Sequence, residues 1–171
     1  VVICPDTYER TGDDPLVVIT RTLTLAGIGQ GNGVILDGTN ADSRNPMVAI
    51  VGPENAVNGA PVVELRDLTV QRGHNISFGG AGGGVLVARA TATLTRVIVT
   101  GNYANSGGGI FIHDAQSHVT LDDSLVTAND SFDTGGVFID GGTLTLTGTS
   151  EVRDNTPPQC FTANGGSGCP A

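Results

Sequence analysis

"NSGGGIFIHD" runs from Asn105 to Asp114, and "FDTGGVFIDG" repeats the phrase from Phe132 to Gly141. A related copy, "GGGVLVA", spans Gly82 to Ala88. Each copy sets glycines before an apolar triplet whose side chains alternate between two faces, the period of a strand and not of a helix. Working outward, four further segments line up between and around the copies: "VVELRDLTVQRG", "TATLTRVIVTGN", "HVTLDDSLVTAND" and "TLTLTGTSEVRDN". Leu65, Leu94, Leu121 and Leu146 share one column, at spacings of 29, 27 and 25 residues. Val70, Val99, Val126 and Val152 share a second, and Asn102, Asn129 and Asn155 a third, with Gly73 in the first copy. The last copy carries one extra residue near Gly148, which predicts a bulge or a looser turn.

A repeat of this length made of strands without helices is what a β-solenoid requires. Each turn makes two or three strands, and successive turns stack in parallel at about 4.8 Å. Inward residues then pile on their counterparts, Leu on Leu and Val on Val. In "TATLT" the inward set is Ala92 and Leu94, and the outward set is Thr91, Thr93 and Thr95. The glycines predict a tight corner with positive φ. The three asparagines mark another corner, where this residue tolerates the left-handed region and its amides can bond along the stack. The predicted fold is all-β, a right-handed parallel β-helix (β-solenoid) of about six turns, a rod on the order of 30 Å long. Its hand rests on the right-handed preference of parallel crossovers. One domain over residues 1–171 is expected, with irregular N-terminal turns (1–60), regular repeats (61–155) and a C-terminal cap (156–171). "VVIC", "LVVIT", "TLTLAGIG", "VILDG" and "MVAIVG" supply the irregular turns, with insertions at Asp6–Pro15 and Thr39–Pro46.

Composition narrows the function. The 171 residues carry a net charge of −9, no tryptophan and no lysine; all eight basic residues are arginines. Such a surface does not neutralise phosphates, which excludes nucleic acid and anionic membranes as partners. Schiff-base chemistry and lysine general bases are excluded with the lysines. No apolar run reaches the roughly 18 residues of a membrane helix. Because residue 1 already begins the strand-like "VVIC", the chain reads as processed or excised. Cys160 and Cys169 lie close together in a turn-rich tail, where a disulfide would add about 2–3 kcal/mol. That pairing suits a secreted or cell-surface location; the alternative is three reduced thiols in a cytosolic protein. Cys4 follows three apolar residues and is expected in the core.

The "GGGIFI" and "GGVFID" copies, each preceded by an Asn-ended strand, resemble right-handed parallel β-helix repeat proteins of the pectin-lyase-like superfamily. They are especially similar to the polymorphic outer-membrane-protein type of repeat. The opening "VVICPDTYER" is similar to a first turn that often reads "V.PGTY.E", with Asp6 in place of the usual glycine. "VRDNTPPQC" is similar to the last turn of secreted members. The resemblance implies the fold over nearly the whole chain. It leaves function open among glycan lyases, hydrolases, adhesins and autotransporter passenger domains.

Six groups of residues bear on chemistry. A glycan hydrolase needs paired carboxylates, and Asp122–Asp123 with His74 form the best local set. Hydrolases of the family carry "NTD", "DD", "GHG" and "RIK" on successive turns, whereas this chain has the "DD" and a "GHN". Aspartate is also the ordinary residue of a corner. Lyases use a calcium cluster of acids plus an arginine base; here Arg96 aligns with Asp67 and Asp123, which reads as a cross-turn ion pair. Thr93, Thr120 and Thr145 share one outward column ending at Glu64, and Arg66, Thr95, Asp122 and Thr147 share the next. Regular threonine arrays bind ice, but Glu64, Arg66, Asp122 and His118 interrupt this one, and ordinary β-branched filling of an exposed strand is the stronger explanation. "GIGQGNG" (Gly27–Gly33) fails the dinucleotide spacing at Asn32 and precedes no helix. "GGAGGG" lacks the aspartate of a calcium-binding nonapeptide. The triplets "NIS" at Asn75 and "NDS" at Asn129 match a glycosylation acceptor, with Asn129 expected inside the asparagine column.

The expected function is therefore a non-catalytic, secreted or cell-surface structural or adhesive module, with no cofactor and no metal. Its open N-terminal edge is expected to pair with a neighbouring domain or another copy. The alternatives are a glycan-active enzyme (lyase or hydrolase), with a glycan as partner, and an ice-binding solenoid.

Overall fold

The computed structural model describes residues 1–28, 33–39, 44–54, 59–77 and 79–170. Parallel strands stack as a β-solenoid of about six turns, with no helix among the described residues. Turn one holds β1 (Val2–Ile3), β2 (Asp6–Glu9) and β3 (Val17–Ile19). Turn two holds β4 (Leu23–Gly27), β5 (Val34–Asp37) and β6 (Val48–Val51). The third has β7 (Val62–Gln71), β8 (His74–Asn75) and β9 (Val85–Ala88), and the fourth β10 (Thr91–Thr100), β11 (Tyr103–Ala104) and β12 (Ile110–His113). Turn five is β13 (His118–Asp122), β14 (Leu125–Thr127), β15 (Asp130–Ser131) and β16 (Val137–Asp140). Turn six is β17 (Thr143–Thr147), β18 (Glu151–Arg153) and β19 (Cys160–Ala163).

Among the described residues the strands of successive turns pair in parallel, and the registers are those of the sequence columns. Leu94 lies between Leu65 and Leu121, and Leu121 pairs with Leu146. Val99 lies between Val70 and Val126, which pairs with Val152. Ala92 and Leu94 are fully buried, as their inward phase requires. Between Leu146 and Val152 the last turn takes its extra residue through Gly148, at φ 62°. The first sheet combines β1-β4-β7-β10-β13-β17 with the β2-β5 and β14-β18 segments; β8-β11-β15 form the second and β3-β6-β9-β12-β16-β19 the third.

Three columns of left-handed residues turn the chain between these sheets. They are Asp67, Arg96, Asp123 and Gly148; then Arg72, Gly101, Ala128 and Asp154; then Arg89, Asp114, Gly141 and Asn164. The asparagine column needs a correction here. Asn102, Asn129 and Asn155 are not themselves left-handed; the residue before each one is. That flip turns the three side chains inward, where they are 1%, 1% and 5% exposed. Asn102 Nδ2 donates to Asn129 Oδ1 and Asn129 Nδ2 to Asn155 Oδ1, both at 2.9 Å. Each Oδ1 also accepts a backbone N–H from the turn below: Gly73 at 2.8 Å, Asn102 at 3.0 Å and Asn129 at 3.0 Å. Gln159 ends the column, its Oε1 taking the Asn155 N–H at 2.8 Å.

This ladder explains the doubled phrase. A Cβ on Gly84 would stand 2.9 Å from Asn102 Nδ2, and on Gly109 2.9 Å from Asn129 Nδ2. A Cβ on Gly136 would meet Asn155 Nδ2 at 2.9 Å. The glycine facing each asparagine is required for close approach, and only Gly82 and Gly107 among the phrase's leading glycines serve through positive φ.

Two N-terminal expectations are corrected. Asp6–Glu9 is not part of an insertion but a strand, paired with Val34–Asp37. Its exposed, polar composition conceals it, because only Tyr8 packs against the core. Cys4 is a free, exposed cysteine instead of a core residue, because it falls in the corner between β1 and β2 and not on an inward strand position. Residues 40–43 of the Thr39–Pro46 insertion, and residues 29–32 of "GIGQGNG", lie outside the described residues. At the other end Cys160 and Cys169 form a disulfide, both packed on the core. The Ser167 carbonyl accepts the Leu144 N–H at 2.9 Å, so the tail folds across the sixth turn.

Candidate functional site

The carboxylates singled out by sequence fasten one turn to the next. Arg96 grips Asp67 through Nε at 2.7 Å and Nη2 at 2.9 Å. Those hydrogen bonds hold the Asp67 carboxyl below its ordinary value, against the opposing pull of burial. Asp123 accepts the Thr149 N–H at 2.8 Å and its hydroxyl at 3.1 Å, the backbone bond first among the causes that lower its pKa. Asp122 points outward from β13 and accepts the Thr147 hydroxyl at 2.7 Å. A glycosidase acid needs its pKa raised toward neutrality, and Asp67 and Asp123 are shifted the other way.

His74 belongs to the second sheet, where its ring stacks on Tyr103 at 5.0 Å. Asp122 ends β13 inside the first sheet and Asp123 follows at its corner, so the fold places the two halves of the suspected constellation in different sheets. The His74 Nδ1 is buried without a hydrogen-bond partner among the described residues. His118 Nδ1 meets the Thr143 hydroxyl at 2.7 Å on the threonine face. Among the described residues no group of three or more His, Cys, Asp or Glu is placed to hold a metal ion.

The outward face of the first sheet carries the threonine columns in the register read from sequence. Thr93, Thr120 and Thr145 align with Glu64, and Thr95, Asp122 and Thr147 with Arg66. Glu64 does not end its column: Thr24 lies beyond it and donates to its carboxylate at 3.2 Å. Arg66 also reaches Glu64, at 2.6 Å, so an ion pair interrupts the face. Asn75 and Asn129, the two glycosylation triplets, are buried and hydrogen-bonded.

A second outward face was not anticipated. On the third sheet the outward column reads Val18, Ala49, Leu86, Phe111, Phe138, Phe161. Phe111 and Phe138 stack at 5.3 Å with their planes 17° apart. Phe138 and Phe161 are 5.4 Å apart but inclined by 50°, so the last ring opens away from the stack. Phe132, 77% exposed, projects from the corner after β15 and leans edge-on against Tyr103 at 5.9 Å. Phe132, Phe138, Phe161 and Pro158 wall an open hollow of about 450 Å³, with Asp133 and Thr134 completing it. The signal was present in "GIFI", "GVFI" and "QCFTA", which place phenylalanine at one register position in three consecutive turns.

Comparison with known proteins adds no relative: no family model, no curated protein and no solved structure matches the chain.

Proposed function

We propose that this chain is a non-catalytic structural and adhesive rod that works outside the cell or at its surface, within the pectin-lyase-like group of β-helices that its repeats resemble. The observation that carries this reading is the use made of its acids. Asp67 and Asp123, with Asp37 under Arg72, are engaged in bonds between turns, and the core beneath them is a continuous stack of like residues. Carboxylates so placed stiffen a shaft, and the shaft presents two long outward faces to a partner. The acidic charge keeps such a rod soluble and steers it from polyanions. The Cys160–Cys169 disulfide suits an oxidising compartment.

Self-association belongs to the same reading. β1, β2 and β3 pair on one side only among the described strands, and Val2 and Val18 on them are 68% and 57% exposed. An edge of this kind accepts further parallel strands, from a second copy or from adjoining chain. The test couples two assays. Beads coated with the protein should be retained on cell or matrix surfaces, and a panel of acidic and neutral polysaccharides with added calcium should give no product. Turnover that disappears in Asp122→Ala or Asp123→Ala would replace this reading with the glycan enzyme. Thermal hysteresis abolished by Thr120→Tyr would replace it with the ice binder.

A further inference from the structure

The hollow at the end of the phenylalanine column leaves large rings open to solvent. Phe132 is 77% exposed and Phe161 46%. Rings left this open at a shared hollow mark a contact site more than a packing need. Phe138 and Phe161 are inclined by 50°, whereas Phe111 and Phe138 below them stack at 17°.

Charge identifies the occupant. Some acids elsewhere are matched by arginine, Asp37 by Arg72, Asp67 by Arg96, Glu64 by Arg66 and Glu151 by Arg153, whereas Asp122 and Asp123 bond to threonines. Asp133, on the hollow, accepts only the Ser106 hydroxyl, at 2.6 Å, and no arginine bridges it among the described residues. Its neighbour Asp130 likewise accepts the Thr156 hydroxyl, and no arginine bridges it either. Uncompensated negative charge beside aromatic faces is complementary to a cation with an apolar skin. The ring quadrupole and the carboxylate attract the same charge, and methyl groups pack where a hydrated ammonium would lose water. A pyranose fits worse. It brings several hydroxyls to a wall of three phenylalanines and a proline, where Asp133 is the exposed polar partner and Thr134 is 1% exposed. Anionic ligands meet a chain of net charge −9.

The geometry points to a binding site for a trimethylammonium group, the cationic end of a choline-type compound, between Phe132, Phe138, Phe161 and Pro158 with Asp133 at the rim. This rests on the reading of the chain as a binding module. The ammonium lies against the faces of Phe132 and Phe161, and the remainder of the ligand extends past Asp133 to solvent.

Titration calorimetry with choline and with its neutral carbon isostere, 3,3-dimethylbutan-1-ol, tests the assignment on the intact chain. Choline should bind about five-fold or more tightly than the isostere. Phe132→Ala and Phe161→Ala should each weaken choline by about ten-fold; Phe132 is exposed enough for its variant to keep the wild-type unfolding midpoint. Asp133→Asn should weaken choline and leave the isostere unchanged. Equal binding of choline and isostere, or choline binding indifferent to Phe132→Ala, would overturn the site. So would glucose or N-acetylglucosamine oligomers that compete with the same variant pattern, or phosphatidylcholine vesicles that retain the protein without competition by choline. Bead adhesion that survives Phe132→Ala removes the choline site and leaves the adhesive reading standing, so the two failures are distinguishable.

Discussion

Replacing Asn129 by alanine probes the interior ladder at its middle rung. Asn129 Oδ1 accepts from the Asn102 N–H at 3.0 Å and from Asn102 Nδ2 at 2.9 Å. Its own Nδ2 donates to the Val99 carbonyl at 2.9 Å and to Asn155 Oδ1. Alanine removes all four bonds and leaves the Asn102 N–H and one Asn102 amide hydrogen without an acceptor, at a position 1% exposed. Each orphaned buried donor costs about 1–3 kcal/mol, which puts the loss at about 2–6 kcal/mol. Asn129→Asp should be no milder at neutral pH, since a carboxylate cannot donate to Val99 or Asn155 and carries buried charge. Thr120→Ala, one outward step on the same turn, should change stability by well under 1 kcal/mol. Urea unfolding of the three variants measures the differences. An Asn129→Ala loss no larger than that of Thr120→Ala would refute the claim that the amide column carries the stack.

Several other outcomes follow from the same geometry. Leu94→Ala or Leu121→Ala, at positions with 0% exposure, should lose about 2–5 kcal/mol in urea titrations, against well under 1 kcal/mol for Thr93→Ala. Gly109→Ala should lose about 1–3 kcal/mol, because its Cβ would meet the Gly136 carbonyl and Val126 Cγ1 at 2.8 Å. Acid should destabilise the chain through Asp67 and Asp123, whose folded pKa values lie below their unfolded ones. Their contribution is present above about pH 4 and is lost as pH falls through the folded values, so the gap between wild type and Asp67→Asn should narrow between about pH 5 and pH 2. Cys4 should react with a thiol reagent in the native, unreduced protein at one equivalent, and Cys4→Ser should abolish that reaction.

The regular part of the rod was legible because it repeats with little drift. Leu65 to Leu146 and Val70 to Val152 hold one alternation phase, and a phase shared over four turns has one structural solution. The early turns broke that rule. Val2 pairs with Ala26 and Leu25 with Leu65, separations so unequal that no common period covers them. Asp6–Glu9 carried no apolar alternation to announce a strand. The asparagines were found but given the wrong conformation, because a side chain that bonds along the stack and a backbone that turns a corner leave the same residue type in sequence. The outward phenylalanines were passed over for a related reason. In "IFI" and "VFI" the middle residue is the one that strand alternation sends outward, and its identity carries no weight in deciding the fold. Gln159 as a ladder terminus required a change of residue type that a column of asparagines does not suggest.

The central claim is that each turn lies in parallel register directly on the next. Methyl-to-methyl nuclear Overhauser measurements on leucine-labelled protein test it at Leu94. The account predicts cross-peaks from Leu94 to both Leu65 and Leu121, residues 29 and 27 positions away and on opposite sides of it. Contacts to one of them alone, or a pattern in which the neighbours run in the opposite direction, would contradict it.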